Sequence, residues 1–208
     1  MKSFAIFSLP VLLAVPFLFS NSTSMEIPAT PGFLPATADK PATFQIDTTH
    51  SWILFKVNHL GMGTAWGSFD KFSGSFELDA EKPSENSVSL AIEANSVSTK
   101  DTKRDNHLKG PDFFNAREFP SISFQSTSVK GDADNFTVTG TLELLGKKKE
   151  VEVAMQKVGE GKDPWGKYRA GFEGSFTINR GDFGMDYMKE GLGMDITVTL
   201  AFEGTRDS

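Results

Sequence analysis

From Phe44 onward the chain alternates apolar and polar residues with a period of two, in eight separate stretches. Period two is the pattern of a β-strand with one face buried and one face in water. Ser51, Ile53, Phe55, Val57 and His59 share one face of the first stretch. In the second, Gly67 and Phe69 occupy odd positions, whereas Phe72, Gly74, Phe76 and Leu78 occupy even ones. That slip predicts a β-bulge near Asp70-Lys71. Six further faces follow: Val88 to Ala94 through Leu90 and Ile92; Ile122 with Phe124; Phe136 to Leu144 through Val138, Gly140 and Leu142; Val151 to Met155; Tyr168 to Ile178 through Phe172 and Phe176; and Met194 to Phe202.

Short links containing Gly131, Asp132 and Asn135, or Gly146, join consecutive stretches and predict antiparallel hairpins. One longer insertion, Lys100 to Pro120, interrupts the meander. Thr99, Asp101 or Thr102 can cap a short helix there, Leu108 would face inward, and Gly110-Pro111 would end it. Eight half-buried strands leave two sticky edges unless the sheet closes, so the expected fold is all-β: an eight-stranded antiparallel up-and-down barrel with one short helical insertion. A two-sheet sandwich is the structural rival. The stretches Thr64–Asp79 and Lys167–Arg180 are long for strands, which favours a tall tube. Fourteen of the 19 phenylalanines lie from Phe44 onward, so the inward face is rich in rings that carry no polar group.

The first 42 residues read differently. Lys2 precedes an apolar run from Phe4 to Phe19, broken by Pro10 and Pro16 and followed by Ser20-Asn21-Ser22-Thr23-Ser24. This is the layout of a secretory signal peptide, assigned to residues 1–24; the run is short for a membrane span. Residues 25–42 are rich in Pro, Ala and Thr and form a linker, leaving residues 43–205 as the folded domain. The expected location is periplasmic or secreted. Because the chain has no cysteine, thiolate metal sites, disulfides and a cysteine nucleophile are excluded. The net charge of −6 argues against a nucleic-acid partner.

The polar residues suggest no catalytic set. There is no Gly-x-Ser-x-Gly elbow, phosphate loop or zinc-type histidine spacing around His50, His59 and His107. No metal or cofactor is therefore expected. His59 shares the inward face and can contact a head group. Arg104 either grips such a group from a lid over one barrel mouth or joins Asp105 in holding the insertion to the barrel. Phe113, Phe114 and Phe119 plug or line that mouth, or form satellite core. Arg180-Gly181-Asp182 spells an adhesion tripeptide, but its setting is a longer motif.

Those motifs come in a fixed order: Ile46-Asp47-x-x-His50-Ser51, Phe55-x-Val57-x-His59-Leu60-Gly61, Gly67-x-Phe69-x-x-Phe72-x-Gly74, Arg104-Asp105-x-His107-Leu108, Phe119-Pro120, Gly140-x-Leu142-x-x-x-Gly146 and Arg180-x-Asp182-Phe183-Gly184-Met185. The set resembles the YceI-like family across about residues 43–204. The resemblance implies an extended lipocalin-like barrel, export, and a polyisoprenoid, such as a quinone, or another long-chain lipid held inside, with no enzymatic activity. The expected lining and mouth comprise Phe55, Val57, His59, Phe69 and Phe76 from the first two strands. Leu90, Ile92, Arg104, His107, Phe113, Phe114 and Phe124 follow, then Leu142, Phe172, Phe176 and Ile178. Expected partners are the lipid itself, with transient contact to inner-membrane lipid or a redox partner and a homodimer as further options. Two other readings stay open: a stress-related structural or partner-binding protein with a packed barrel core, and an enzyme acting on a lipid-like substrate.

Overall fold

The computed structural model describes residues 41–79 and 81–207, so the predicted signal peptide and nearly all of the linker lie outside the described residues. Ala42, the last residue of the predicted linker, already belongs to the first strand. The strands are β1 (Ala42–Ile46), β2 (Trp52–His59), β3 (Gly63–Phe69), β4 (Phe72–Leu78), β5 (Ser87–Glu93), β6 (Val97–Ser98), β7 (Ser121–Gly131), β8 (Asn135–Leu144), β9 (Lys147–Lys162), β10 (Lys167–Asn179) and β11 (Leu192–Asp207). The helix α1 spans Thr102–Leu108.

These eleven segments make eight staves of one closed antiparallel barrel. β11 pairs with β2 from Leu192↔His59 to Ala201↔Trp52, and then with β1 at Gln45↔Thr205. β1 and β2 are therefore successive halves of one stave. β4 and β3 lie opposite them, and β5 and β6 follow in the same way. β7 to β11 complete the circuit as unbroken hairpins. Closure removes the long edges, which is the physical reason for closing such a sheet; β6 alone pairs on one side only among the described residues.

The phase slip at Asp70-Lys71 is the break between β3 and β4. Opposite it, Ala94–Ser96 forms a 3₁₀ turn. The Asp70 N–H donates to Ser96 O (3.1 Å), the Lys71 N–H to Ser96 Oγ (3.1 Å), and the Glu93 N–H to Lys71 O (3.0 Å), so the interrupted ladder keeps its hydrogen bonds. Three more irregularities, at Ser126/Ser128, Gly171/Phe172 and Leu192/Ile196, interrupt the registers of β7, β9 and β11 without changing which residues point inward on β8 and β10. Asp101 caps α1 by accepting from the Arg104 N–H at 2.8 Å.

The core is the lumen. Phe44, Ile53, Phe76, Leu90, Ile92, Phe136, Val138, Leu142, Val153, Leu200 and Phe202 are all buried, in the alternation that the sequence carries. Stacked and edge-on rings run through it: Phe44 on Phe76 (centroids 4.9 Å), Phe76 on Phe172 (5.3 Å) and Phe172 on Phe136 (6.0 Å).

Candidate functional site

The lumen is not completely filled. A cavity of about 130 Å³ runs along the middle of the barrel. Its wall is built from alternate residues of nearly every stave: Ile53, Phe76 and Leu78; Val88, Leu90 and Ile92; Phe124 and Val129; Phe136, Val138 and Leu142; Val153 and Met155; Phe172 and Phe176; Val198, Leu200 and Phe202. A void this size, lined by apolar groups, stays dry and admits apolar molecules; an engineered cavity of ~150 Å³ holds one benzene. The resting lumen thus has free room for about one six-carbon unit before any side chain moves. Phe124, Phe172 and Phe176 are only partly buried although they line it.

The wall is almost wholly apolar, and Glu77, Asn86 and Ser87 border it at one end, where β4 gives way to β5. Glu77 is exposed and accepts from the Ser87 hydroxyl at 3.1 Å. The β5–β7 ladder also stops there, at Ser89↔Gln125; beyond it the Val88 N–H donates to Ser126 Oγ (2.9 Å) instead of to a strand carbonyl. This end, near the 3₁₀ turn Pro83–Glu85, is the mouth.

The opposite end is closed. Phe55, Phe69 and Phe114 form a ring cluster with centroids 5.3 to 6.4 Å apart. Phe114 enters from the α1 insertion rather than from a strand. The insertion is thus a stopper for that end, and the expectation of a ligand mouth beneath it is corrected.

Several expected site residues move with that correction. Arg104 is exposed and grips no cavity: its Nε donates to Thr99 Oγ1 (2.8 Å) and its Nη2 to Thr99 O (2.7 Å). Asp105 accepts from the Thr99 N–H (2.8 Å) and from its hydroxyl, so both residues fasten the insertion to the end of β6. His107 sits outside, hydrogen-bonded to Asp112 at 2.9 Å and edge-on to Phe113 and Tyr187. Phe113 is buried in that satellite cluster. His59 keeps the inward phase of β2, but it lies at the last pair of the strand, beyond the ring cluster, and is exposed. Val57 and Ile178 also lie past the cavity, at its closed end. Phe76, Leu90, Ile92, Phe124, Leu142, Phe172 and Phe176 do line it. The remaining wall residues, such as Ile53, Val88, Phe136, Val138, Leu200 and Phe202, carry the same alternation signal but were not assigned to the site.

Outside the cavity, Asp47, His50 and Glu203 place ligand atoms within 4.8 Å of one another, a spacing that a metal ion could bridge. A fixed cation already serves them. Arg169 donates to Asp163 (2.6 Å), Asp47 (2.9 Å) and Glu203, and those three carboxylates hold the guanidinium above its usual range. The hydrogen bond from His50, followed by that from Arg169, holds the Asp47 carboxyl well below the usual carboxylate range despite partial burial. The hydrogen bond from Arg169 does the same for Asp163. A carboxyl depressed in the folded state stabilises above its unfolded pKa and loses that contribution as pH falls through the folded value. The Tm advantage of the parent chain over Asp47→Asn should therefore be constant near neutral pH and shrink below about pH 4. Thermal scans of both chains between pH 7 and pH 2 check this; an advantage that grows on acidification would contradict the assignment.

Comparison with known proteins agrees with this architecture. The YceI-like domain family matches residues 44–205. A UPF0312 protein of Pseudomonas aeruginosa (strain LESB58) is 40% identical over 167 residues, covering 79% of this chain and 87% of that protein. The crystal structure of a Campylobacter jejuni YCEI protein superposes with a TM-score of 0.63 at 27% identity, over 73% of this chain and 90% of that one. A polyisoprenoid binding domain from Saccharophagus degradans, implicated in plant cell wall breakdown, shares the fold with a TM-score of 0.56 at 16% identity, over 79% of this chain and 98% of that one.

Proposed function

This chain belongs to the YceI-like family, and from that premise we propose that it is an exported, non-enzymatic carrier that holds the tail of an isoprenoid lipid, such as an isoprenoid quinone, in its barrel. The observation that carries this reading is the continuous apolar cavity, bordered at one end by Glu77, Asn86 and Ser87. Such a site takes an apolar tail inward and leaves the head group at Glu77, Asn86 and Ser87. Burial supplies roughly 0.8 kcal/mol for each CH₂ removed from water, so even a short enclosed length of chain offsets a substantial ordering cost. Few polar contacts are needed, and tail chemistry matters more than head chemistry. The likeness to the polyisoprenoid binding domain from Saccharophagus degradans points the same way. The periplasmic or secreted location rests on the apolar run Phe4–Phe19 and its small-residue exit.

Native mass spectrometry on protein purified from its own host, followed by organic extraction, tests the reading. The expected result is a stoichiometric isoprenoid, released on extraction. Protein that carries none and takes up no added quinone or polyprenol would overturn it in favour of a structural barrel.

A further inference from the structure

We propose that the ring cluster of Phe55, Phe69 and Phe114 is a tail stop that limits this chain to enclosing about two to three isoprene units; the proposal rests on the lipid-binding reading above. On several staves the cavity lining stops short of the end that the insertion covers. Val198 lines it, but Ile196, the next inward residue of β11, does not. Phe176 lines it and Ile178 does not; Leu142 lines it and Leu144 does not. Phe55 sits at that height, because it is the direct cross-strand partner of Val198. Its ring meets those of Phe69 (5.6 Å) and Phe114 (6.4 Å), and Phe69 meets Phe114 at 5.3 Å.

The depth follows from the strand rise. Along β11 the wall runs from Phe202 to Val198 and along β5 from Val88 to Ile92, four residue steps in each case, and along β8 from Phe136 to Leu142, six steps. At ~3.3 Å per residue and a strand tilt of about 40° that is roughly 10–15 Å of depth. An extended chain advances about 1.1–1.2 Å per bond, since a polypeptide covers 3.3–3.6 Å in three. The lumen is therefore deep enough for roughly nine to thirteen bonds, and an isoprene unit contributes four along its backbone. Its resting volume of about 130 Å³ holds about six carbons, so lining side chains give way as the tail enters. Longer tails bind by their last units and leave the remainder outside the mouth.

Two features make the stop adjustable. Phe114 belongs to the insertion, so its truncation opens space without breaking a strand. Gly67 lies directly across from Phe55 on β3. A Cβ added there would come within 2.2 to 2.8 Å of three atoms of the Phe55 ring, so Gly67 is what lets that ring lie back against the wall. Gly67→Ala drives the ring into the lumen and raises the floor.

The experiment titrates the full chain with ten-carbon geraniol, fifteen-carbon farnesol and twenty-carbon geranylgeraniol. In the parent chain, affinity should rise at least roughly tenfold from the first to the second and change less than about threefold from the second to the third. Phe114→Ala should restore a rise of roughly tenfold at the last step, which needs only about two of the added carbons to become buried. Gly67→Ala should flatten the first step. Phe114→Leu, with its smaller loss of bulk, carries the same test if the alanine variant does not fold. An affinity that climbs evenly through all three prenols in the parent chain, or a profile unchanged in the variants, overturns the stop and leaves the carrier reading standing. Failure of the parent chain to bind any prenol overturns both.

Discussion

Replacing Arg180 by alanine is expected to lower the thermal unfolding midpoint by about 6–12 °C, the shift that a loss of roughly 3 kcal/mol gives a domain of this size. Arg180 is 1% exposed. Its Nε donates to Gly193 O (2.8 Å), Nη1 to Met185 O (2.8 Å) and Nη2 to Leu192 O (2.9 Å). Among the described residues no carboxylate lies within ion-pair distance of it; burial pushes the guanidinium below its usual range, with Asp186 opposing from a distance. The side chain therefore serves as a three-pronged donor that ties the 3₁₀ turn Arg180–Phe183 to the start of β11. Its removal leaves three inward-facing carbonyls without donors, at about 1–3 kcal/mol each before water enters. Arg180→Lys should recover only part of the loss, because one ammonium cannot match the planar fork. Thermal or urea unfolding of both variants checks this, and an alanine variant within about 2 °C of the parent would sink it. The same burial disposes of the adhesion tripeptide: its arginine is not available to a receptor.

Phe176→Asp is the second large effect. Phe176 lines the cavity near its closed end, towards the end of β10 and opposite Val198. A carboxylate there faces an apolar wall and would be covered by the bound tail with nothing to pair with it. Covering an unpaired polar group costs roughly 2–7 kcal/mol, so lipid affinity should fall at least ~30-fold at neutral pH. The loss should shrink on acidification, because a protonated carboxyl is cheaper to cover and a buried carboxyl titrates upward. Phe176→Leu keeps the apolar wall and should stay within about tenfold of the parent. A folded aspartate variant that retains its lipid would remove the cavity from consideration as the binding site.

Much of this site was legible from residue order alone. Tyr168 to Ile178 and Phe136 to Leu144 alternate so regularly that their inward faces follow directly, and Phe76, Phe124 and Phe172 fall on the wall as their phase requires. The slip at Asp70-Lys71 located a break in the ladder, because parity cannot change within an uninterrupted strand. His59, Arg104 and His107 show where this reasoning stops. Phase assigns His59 inward, but phase carries no information about height, and His59 lies above the rings that end the cavity. Arg104 and His107 sit in a helix seven residues long, where side chains meet the local partners Thr99 and Asp112 as readily as a ligand.

What the sequence determined by itself is the class of fold and the chemistry of its interior: period-two alternation requires a sheet with one buried face, and phenylalanine at the inward positions requires that face to be apolar. What only the tertiary structure decided is where the cavity begins and ends. That depends on closure, which brings β1 and β2 against β11 across more than 130 residues of chain, and on the insertion, which swings Phe114 over one end. Alternation is set by the geometry of neighbouring residues, whereas the height of a floor is set by rings from the β2–β3 hairpin and from the distant insertion meeting in space.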